Sequence, residues 1–227
     1  MQTIDILKDI GKRCDGDIYL GVVGPVRVGK SSFIKRFMEK AVIPYIDDAD
    51  AKIRATDELP QSGEGKMIMT VEPKFVPNQA AHIFVEDNLG VNIRLVDCVG
   101  YVIDGAKGYQ DEQGIRYVKT PWYLEAIPFD EAAKIGTQKV IQDHSTIGIV
   151  MTCDGSICEI PSQDYVQATD DVIQELKDIG KPFVIVVNSK DPRSIQCNQL
   201  VENLKQKHDV PVIGLKVNEM NEEDIAH

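Results

Sequence analysis

Apolar residues recur along this chain in two alternating rhythms. Short runs such as Tyr19-Leu20-Gly21-Val22-Val23, Ile147-Gly148-Ile149-Val150-Met151, Pro182 to Val187 and Val210 to Leu215 predict strands buried on both faces. Between them, apolar positions three and four apart predict helices over Phe33 to Met38, Phe129 to His144, Gln163 to Ile179 and Ser194 to Lys207. In the second of these, Ala132, Ala133, Ile135, Val140 and Ile141 form the buried stripe. Two further runs, His82-Ile83-Phe84-Val85 and Val91-Asn92-Ile93-Arg94-Leu95-Val96, flank Asp87-Asn88-Leu89-Gly90 and predict an antiparallel hairpin. Strands alternating with helices require right-handed crossovers, so the expected fold is α/β: a mostly parallel sheet with one antiparallel strand and helices on both faces.

Two stretches break the rhythm. From Ile43 to Pro77 periodicity is lost among Asp47, Asp48, Asp50, Pro60, Gly63, Gly65, Pro73 and Pro77, which predicts a long mobile loop. Gly100 to Pro128 is a second irregular stretch, with Trp122 as its packing anchor.

The first strand runs into Gly24-Pro25-Val26-Arg27-Val28-Gly29-Lys30-Ser31-Ser32, which meets the pattern G-x-x-x-x-G-K-[ST] at every fixed position. A strand before it and a helix after it make this a phosphate-binding loop rather than a chance glycine-rich turn. Its glycines let backbone N–H groups turn onto phosphate oxygens, Lys30 adds a positive charge, Ser31 offers a hydroxyl to magnesium, and the helix start adds its dipole. The expected ligand is a magnesium-bound nucleoside triphosphate.

Other residues extend that site. Asp97 ends a strand and opens Asp97-Cys98-Val99-Gly100, a D-x-x-G that supplies a magnesium carboxylate in Asp97 and an N–H for the terminal phosphate in Gly100. Thr70 lies in the long loop where such a layout needs a hydroxyl for magnesium and an N–H for the γ-phosphate. The glutamine that usually follows D-x-x-G is replaced by Tyr101, so water must be oriented by other groups. Arg27 stands inside the phosphate loop where potassium-activated relatives of this layout carry asparagine. Two readings stay open for it: a guanidinium that replaces the cation and acts as an arginine finger in cis, or an ion pair with a nearby carboxylate. Asn188-Ser189-Lys190-Asp191 follows a predicted strand, where guanine readers carry N-K-x-D. Asn188 and Asp191 are in place, but a serine replaces the stacking lysine, which weakens guanine selectivity without removing it.

Size and charge narrow the picture. The 227 residues suit one α/β domain spanning 1–227. A formal charge of −11 argues against a broad nucleic-acid surface. No run reaches membrane-spanning length and Met1-Gln2-Thr3-Ile4-Asp5 has no apolar signal core, so a cytoplasmic domain is expected. Five cysteines without a C-x-x-C pair read as reduced structural thiols.

Long strings in the sequence resemble one family, the ATPase domain of stage IV sporulation protein A. They are Gly16 to Gly24, the phosphate loop, Asp57-Glu58-Leu59-Pro60-Gln61-Ser62, Glu72 to Gln79, Asp97 to Tyr101, and Gly105-Ala106-Lys107-Gly108-Tyr109, and the likeness covers essentially the whole chain. The resemblance implies a GTPase-like domain of the translation-factor class that has turned to ATP and uses its hydrolysis to drive self-assembly of the spore coat basement layer on the forespore. It makes Lys30 and Ser31 the Walker A residues, Asp97 the Walker B aspartate and Thr70 the sensor threonine. Val71 stands where the pattern carries a second threonine, which leaves open any role shared by two hydroxyls. The implied partners are further copies of the protein, a small amphipathic membrane-anchoring peptide (stage V sporulation protein M) and other coat proteins, engaged through middle and C-terminal regions outside this chain. The implied location is the mother-cell cytoplasm, peripheral on the forespore outer membrane. Two other functions fit the residues: a GTP-dependent switch, and a nucleotide-bound scaffold that hydrolyses little.

Overall fold

A computed structural model describes residues 7–8, 10–12, 14–60, 71–86, 89–106, 108–111, 114–158 and 160–226. Its strands are β1 (Asp17–Val23), β2 (Lys74–Glu86), β3 (Leu89–Asp97), β4 (Gln110–Asp111), β5 (Gly114–Ile115), β6 (Tyr117–Thr120), β7 (Tyr123–Pro128), β8 (Ile147–Cys153), β9 (Phe183–Asn188) and β10 (Val212–Leu215). The α-helices are α1 (Lys30–Phe37), α2 (Ala49–Asp57), α3 (Phe129–Gln142), α4 (Val166–Asp178), α5 (Ile195–His208) and α6 (Glu222–Ala226).

Six strands make the central sheet in the order β10-β9-β8-β1-β3-β2. All its pairs are parallel except β2 with β3, where Glu86 pairs with Leu89. This is the mostly parallel sheet with one antiparallel strand expected from the apolar rhythm. β8 is buried at every position after Ile147, which needs cover on both faces, and its residues are correspondingly apolar. α3 and α4 lie over β1 and β8, while α1 lies against β1 and β3. Gly21 in β1 is required by that packing, since a Cβ there would sit 2.8 Å from Ser145 and 3.0 Å from Val140. The core between these layers includes Ile18, Val22, Ile34, Ile93, Leu95, Val150 and Ile185.

Chain direction places the site. β1 runs between β3 on one side and β8 on the other, and the connections leaving it diverge, so a crevice opens at the carboxyl ends of these strands. The phosphate loop fills that crevice.

Two expectations are corrected. The stretch from Ile43 to Pro77 is not one irregular loop. α1 continues as a π turn over Met38–Val42 and a 3₁₀ turn over Ile43–Tyr45, and α2 follows. Asp48 starts α2 by accepting the Ala51 N–H at 2.6 Å, so an acidic residue placed in the expected mobile loop is a helix cap. β2 begins at Lys74 and takes in Pro77 as well. Within this stretch residues 61–70 lie outside the described residues. Gly100 to Pro128 is not wholly irregular either, since it holds the antiparallel pairs β4–β5 and β6–β7. Val118 and Ile127 of the second pair close a small apolar cluster with Val71, Phe129, Ala132 and Ala133 of the adjoining chain. Trp122, at the tip of that hairpin, is half-buried beside Gly136.

A single carboxamide ties the end of β9 to the predicted phosphate loop. Asn188, at the end of β9, donates from Nδ2 to the Val28 carbonyl at 3.0 Å and accepts the Val217 N–H on Oδ1 at 3.3 Å. All three residues are buried, so Asn188→Ala strands two backbone groups away from water. The variant is expected to lose about 2–4 kcal/mol of stability, read as a lower urea midpoint with an unchanged slope.

Candidate functional site

The phosphate loop takes its shape from glycines where side chains would collide. Gly24 has φ 131°, and a Cβ on it would lie 2.1 Å from the Met151 carbonyl oxygen of β8. Gly29 has φ 95°, and its Cβ would lie 2.5 Å from Asn188 Nδ2. Arg27 is a non-glycine in the same left-handed region, at φ 63°. Such a conformation costs a side-chain-bearing residue about 1–3 kcal/mol and persists only where the surroundings enforce it. Val26 and Val28 bury their side chains in the core, so they offer a ligand only backbone, and Pro25 between Gly24 and Val26 has no N–H to give.

Lys30 is the first residue of α1 and only 5 % exposed. Its ammonium folds back over the loop, donating to the Pro25 carbonyl at 2.6 Å and the Gly24 carbonyl at 3.3 Å. Burial lowers its pKa, and the neighbouring Cys98 and Asp97 oppose that shift. Beside it, Ser31 Oγ donates to Asp97 Oδ2 at 2.6 Å. The other carboxylate oxygen, Asp97 Oδ1, is buried and has no hydrogen-bond partner among the described residues. Burial raises the Asp97 pKa, against the lowering pull of the Ser31 hydroxyl and Lys30 ammonium.

These donors fit a magnesium ion. A hydroxyl and a carboxylate, both hard oxygen donors, already meet, and one of the carboxylate oxygens is left unsatisfied where water is excluded. Among the described residues no group of three or more His, Cys, Asp or Glu is placed to hold a metal by itself. That suits an ion completed by the oxygens of a polyphosphate, as magnesium usually is.

Asp97 and the loop are joined by the segment after β3. Gly100, at φ 92°, packs so closely that a Cβ would lie 2.1 Å from the Gly24 carbonyl oxygen and 2.4 Å from Lys30 Nζ. Tyr101 then forms a parallel bridge with Pro25: Val26 N–H donates to the Tyr101 carbonyl at 2.9 Å and Tyr101 N–H to the Gly24 carbonyl at 3.3 Å. Gly24 to Ser32, Asp97 and Gly100 are therefore one cluster. Thr70 falls outside the described residues. Its neighbour Val71 is buried, with its carbonyl against Gly136 of α3, so a Cβ on Gly136 would lie 2.4 Å from it.

The β9–α5 segment is arranged differently from the expectation for a base reader. Asn188 is buried with both ends of its amide taken by Val28 and Val217. Asp191 is exposed on the wall of a cavity of about 640 Å³, together with Lys190, Arg193 and Lys216. Its Oδ1 accepts the Arg193 N–H at 3.1 Å, which orients the carboxylate.

Two residues escaped the sequence. Ser189 is fully buried and donates to Asp154 Oδ2 at 2.6 Å, while Oδ1 of Asp154 accepts from the Ser156 N–H at 2.9 Å. Lys190 N–H in turn donates to Ser156 Oγ at 2.9 Å. A serine in the place of a stacking lysine is thus a hub that joins the loops after β8 and β9. The signal was available in Asp154-Gly155-Ser156, an Asx-turn sequence directly after a strand.

The sequence compares with known proteins along its whole length. The model of the family "Stage IV sporulation protein A, ATPase domain" matches residues 1–227. The chain is 57% identical over 225 residues to stage IV sporulation protein A of Bacillus anthracis and, equally, to that of Bacillus subtilis (strain 168), covering 99% of this chain and 46% of each relative. It is 53% identical over 221 residues to the Clostridioides difficile (strain 630) protein, covering 97% and 45%. It spans about half the length of the curated relatives it matches. A family model that matches the whole chain, together with identity of this extent, places the chain in the stage IV sporulation protein A family, where it corresponds to the ATPase domain.

Proposed function

We propose that the domain binds magnesium-bound ATP in the phosphate loop and hydrolyses it to ADP and phosphate. The observation that carries this reading is the pairing of Ser31 with Asp97 beside the buried Lys30 ammonium, with Asp97 Oδ1 left unsatisfied. Ser31 and Asp97, with Thr70, which lies outside the described residues, are the residues proposed to hold the ion. When bound, magnesium neutralises charge on the β- and γ-phosphate oxygens.

The chain's own groups supply the rest. Lys30 leaves the Pro25 and Gly24 carbonyls for phosphate oxygens, exchanging neutral acceptors for charged ones that bind an ammonium about twice as strongly. The amides of the loop and of the first turn of α1 bind the phosphates from below. Gly100 brings backbone to the terminal phosphate, where a side chain would exclude it. Arg27 is read as the group that offsets charge on the transferring phosphoryl in cis, from a strained position inside the loop.

A guanine preference is the competing reading, favoured by Asp191 on the wall of the adjacent cavity. The burial of Ser189 opposes it, since the position that carries the stacking lysine in guanine readers holds a serine turned onto Asp154. In the full-length family, ATP turnover by this domain is proposed to drive assembly of copies of the protein into the layer beneath the spore coat. The forespore surface, a small amphipathic anchoring peptide and other coat proteins would be met through regions outside this chain.

Titration calorimetry with magnesium and either ATP or GTP tests the nucleotide reading. ATP is expected to bind more tightly, and Lys30→Ala to lower hydrolysis about 100-fold or more. A strong GTP preference would overturn the choice of base, and equal, negligible rates in both proteins would favour a scaffold.

Arg27→Ala is expected to slow single-turnover hydrolysis about 100-fold or more if the guanidinium acts as a finger in cis. Full-rate hydrolysis by this variant without added potassium would remove that role.

Asp97 gives a prediction of opposite signs. Its folded-state pKa is raised, so the folded protein holds the proton more tightly than the unfolded chain does, and stability falls as pH rises through the raised value. Asp97→Asn is therefore expected to raise the melting temperature of the nucleotide-free domain at neutral pH while abolishing magnesium-dependent nucleotide binding. In the wild type, acidification through that same range should weaken magnesium-nucleotide binding while it stabilises the nucleotide-free fold. Thermal melts across pH, with and without magnesium and nucleotide, read both effects.

A further inference from the structure

Tyr101 stands where a water-orienting glutamine would, yet its ring does not lie over the phosphate loop. The side chain is 6 % exposed and runs to α4, where its hydroxyl donates to Glu175 Oε1. The same oxygen accepts from Gln138 Nε2 of α3 at 2.8 Å. Glu175 Oε2 is buried and has no hydrogen-bond partner among the described residues. A carboxylate held this way, with one oxygen doubly engaged and the other stranded, is poor design for stability alone, because burying an unpaired oxygen is costly.

Its value lies at the other end of Tyr101. The backbone of this residue is bridged to Pro25, with the Val26 N–H on its carbonyl and its own N–H on the Gly24 carbonyl. Gly100, immediately before it, is packed against Gly24 and the Lys30 ammonium. Tyr101 is thus clamped at two points, side chain on α4 and backbone on the phosphate loop. The residue just before it, Gly100, is the one whose N–H is read as meeting the terminal phosphate, so the clamp on Tyr101 also fixes Gly100.

We propose that Glu175 is a positioning residue for hydrolysis: by accepting the Tyr101 hydroxyl it fixes the Gly100–Tyr101 backbone beside Lys30 and keeps the ring out of the phosphate site, while Gln138 orients the carboxylate. The inference rests on the hydrolytic reading above. It makes the register of the γ-phosphate contact depend on a bond between β3's extension and α4, so the missing glutamine is answered by a fixed backbone. It also joins the phosphate site to α3 and α4.

The test uses single-turnover ATP hydrolysis with enzyme in excess, and ADP affinity measured on the same proteins. Tyr101→Phe, which keeps the ring in its slot, and Glu175→Ala are each expected to slow the chemical step about 10- to 100-fold, the scale of a small misplacement, while ADP affinity stays within about twofold. Glu175→Gln keeps an acceptor oxygen and should recover most of the rate. The double variant Tyr101→Phe/Glu175→Ala should be no slower than either single one, because both remove the same bond. Wild-type rates in Tyr101→Phe, or losses that multiply in the double variant, overturn the proposal, as does Glu175→Gln slowed as much as Tyr101→Phe. Should Glu175→Ala fail to fold, Tyr101→Phe and Glu175→Gln decide. A wild-type domain that binds no nucleotide, or binds without turnover, overturns the hydrolytic reading and this proposal with it.

Discussion

The carboxamide of Asn188 holds the phosphate loop to the sheet, and the geometry of the site follows from that attachment. A loop that turns its amides inward must leave its carbonyls pointing outward, and an outward carbonyl buried against a sheet needs a donor. Val28 finds it in Asn188 Nδ2, and the opposite end of the same amide takes the Val217 N–H from the turn after β10. One side chain thus fastens the loop, β9 and the chain after β10 together. Gly29, where a Cβ would meet that amide at 2.5 Å, is the residue that lets it come so close.

On this frame sits a site whose groups are mismatched until a ligand arrives. Lys30 is buried against two neutral carbonyls, Asp97 has a carboxylate oxygen without a hydrogen-bond partner among the described residues, and Arg27 is held in a left-handed backbone. Each arrangement costs the folded protein stability, and the proposed magnesium-bound nucleotide would relieve the first two at once. Sites that keep such unsatisfied charge in a dry, fixed setting bind the charge distribution they lack without having to reorganise. The same low-dielectric surroundings that raise the Asp97 pKa are those in which its charge attracts a cation most strongly.

Around this centre the chain adds structure that the sheet does not require. The β6–β7 hairpin shares a small apolar cluster with α3 and Val71, so the segment entering β2 is packed against the same helix that carries Gln138. α4 carries Glu175, whose carboxylate reaches the residue after D-x-x-G. The segment entering β2 is thus braced on α3 through Val71, and the segment after β3 on α4 through Tyr101. Their positions are set by tertiary packing instead of by the loop's own sequence.

Fold class, phosphate loop and D-x-x-G were legible because each is written locally: two apolar periods, and fixed residues a few positions apart. The short hairpins between Gly100 and Pro128 were not, since strands of two to six residues are too short to establish a period. α2 was hidden for a similar reason, having Ala55 as its only buried residue and a cap that looked like surface charge. By itself the sequence determined which atoms could meet a polyphosphate, because glycine torsions, an ammonium, a hydroxyl and a carboxylate are properties of residues in order. Only the tertiary structure decided what surrounds them: Asn188 turned inward to the loop, Ser189 spent on Asp154, Tyr101 drawn away to Glu175. Those outcomes depend on partners 160, 35 and 74 positions distant, and no local pattern records a neighbour that far along the chain.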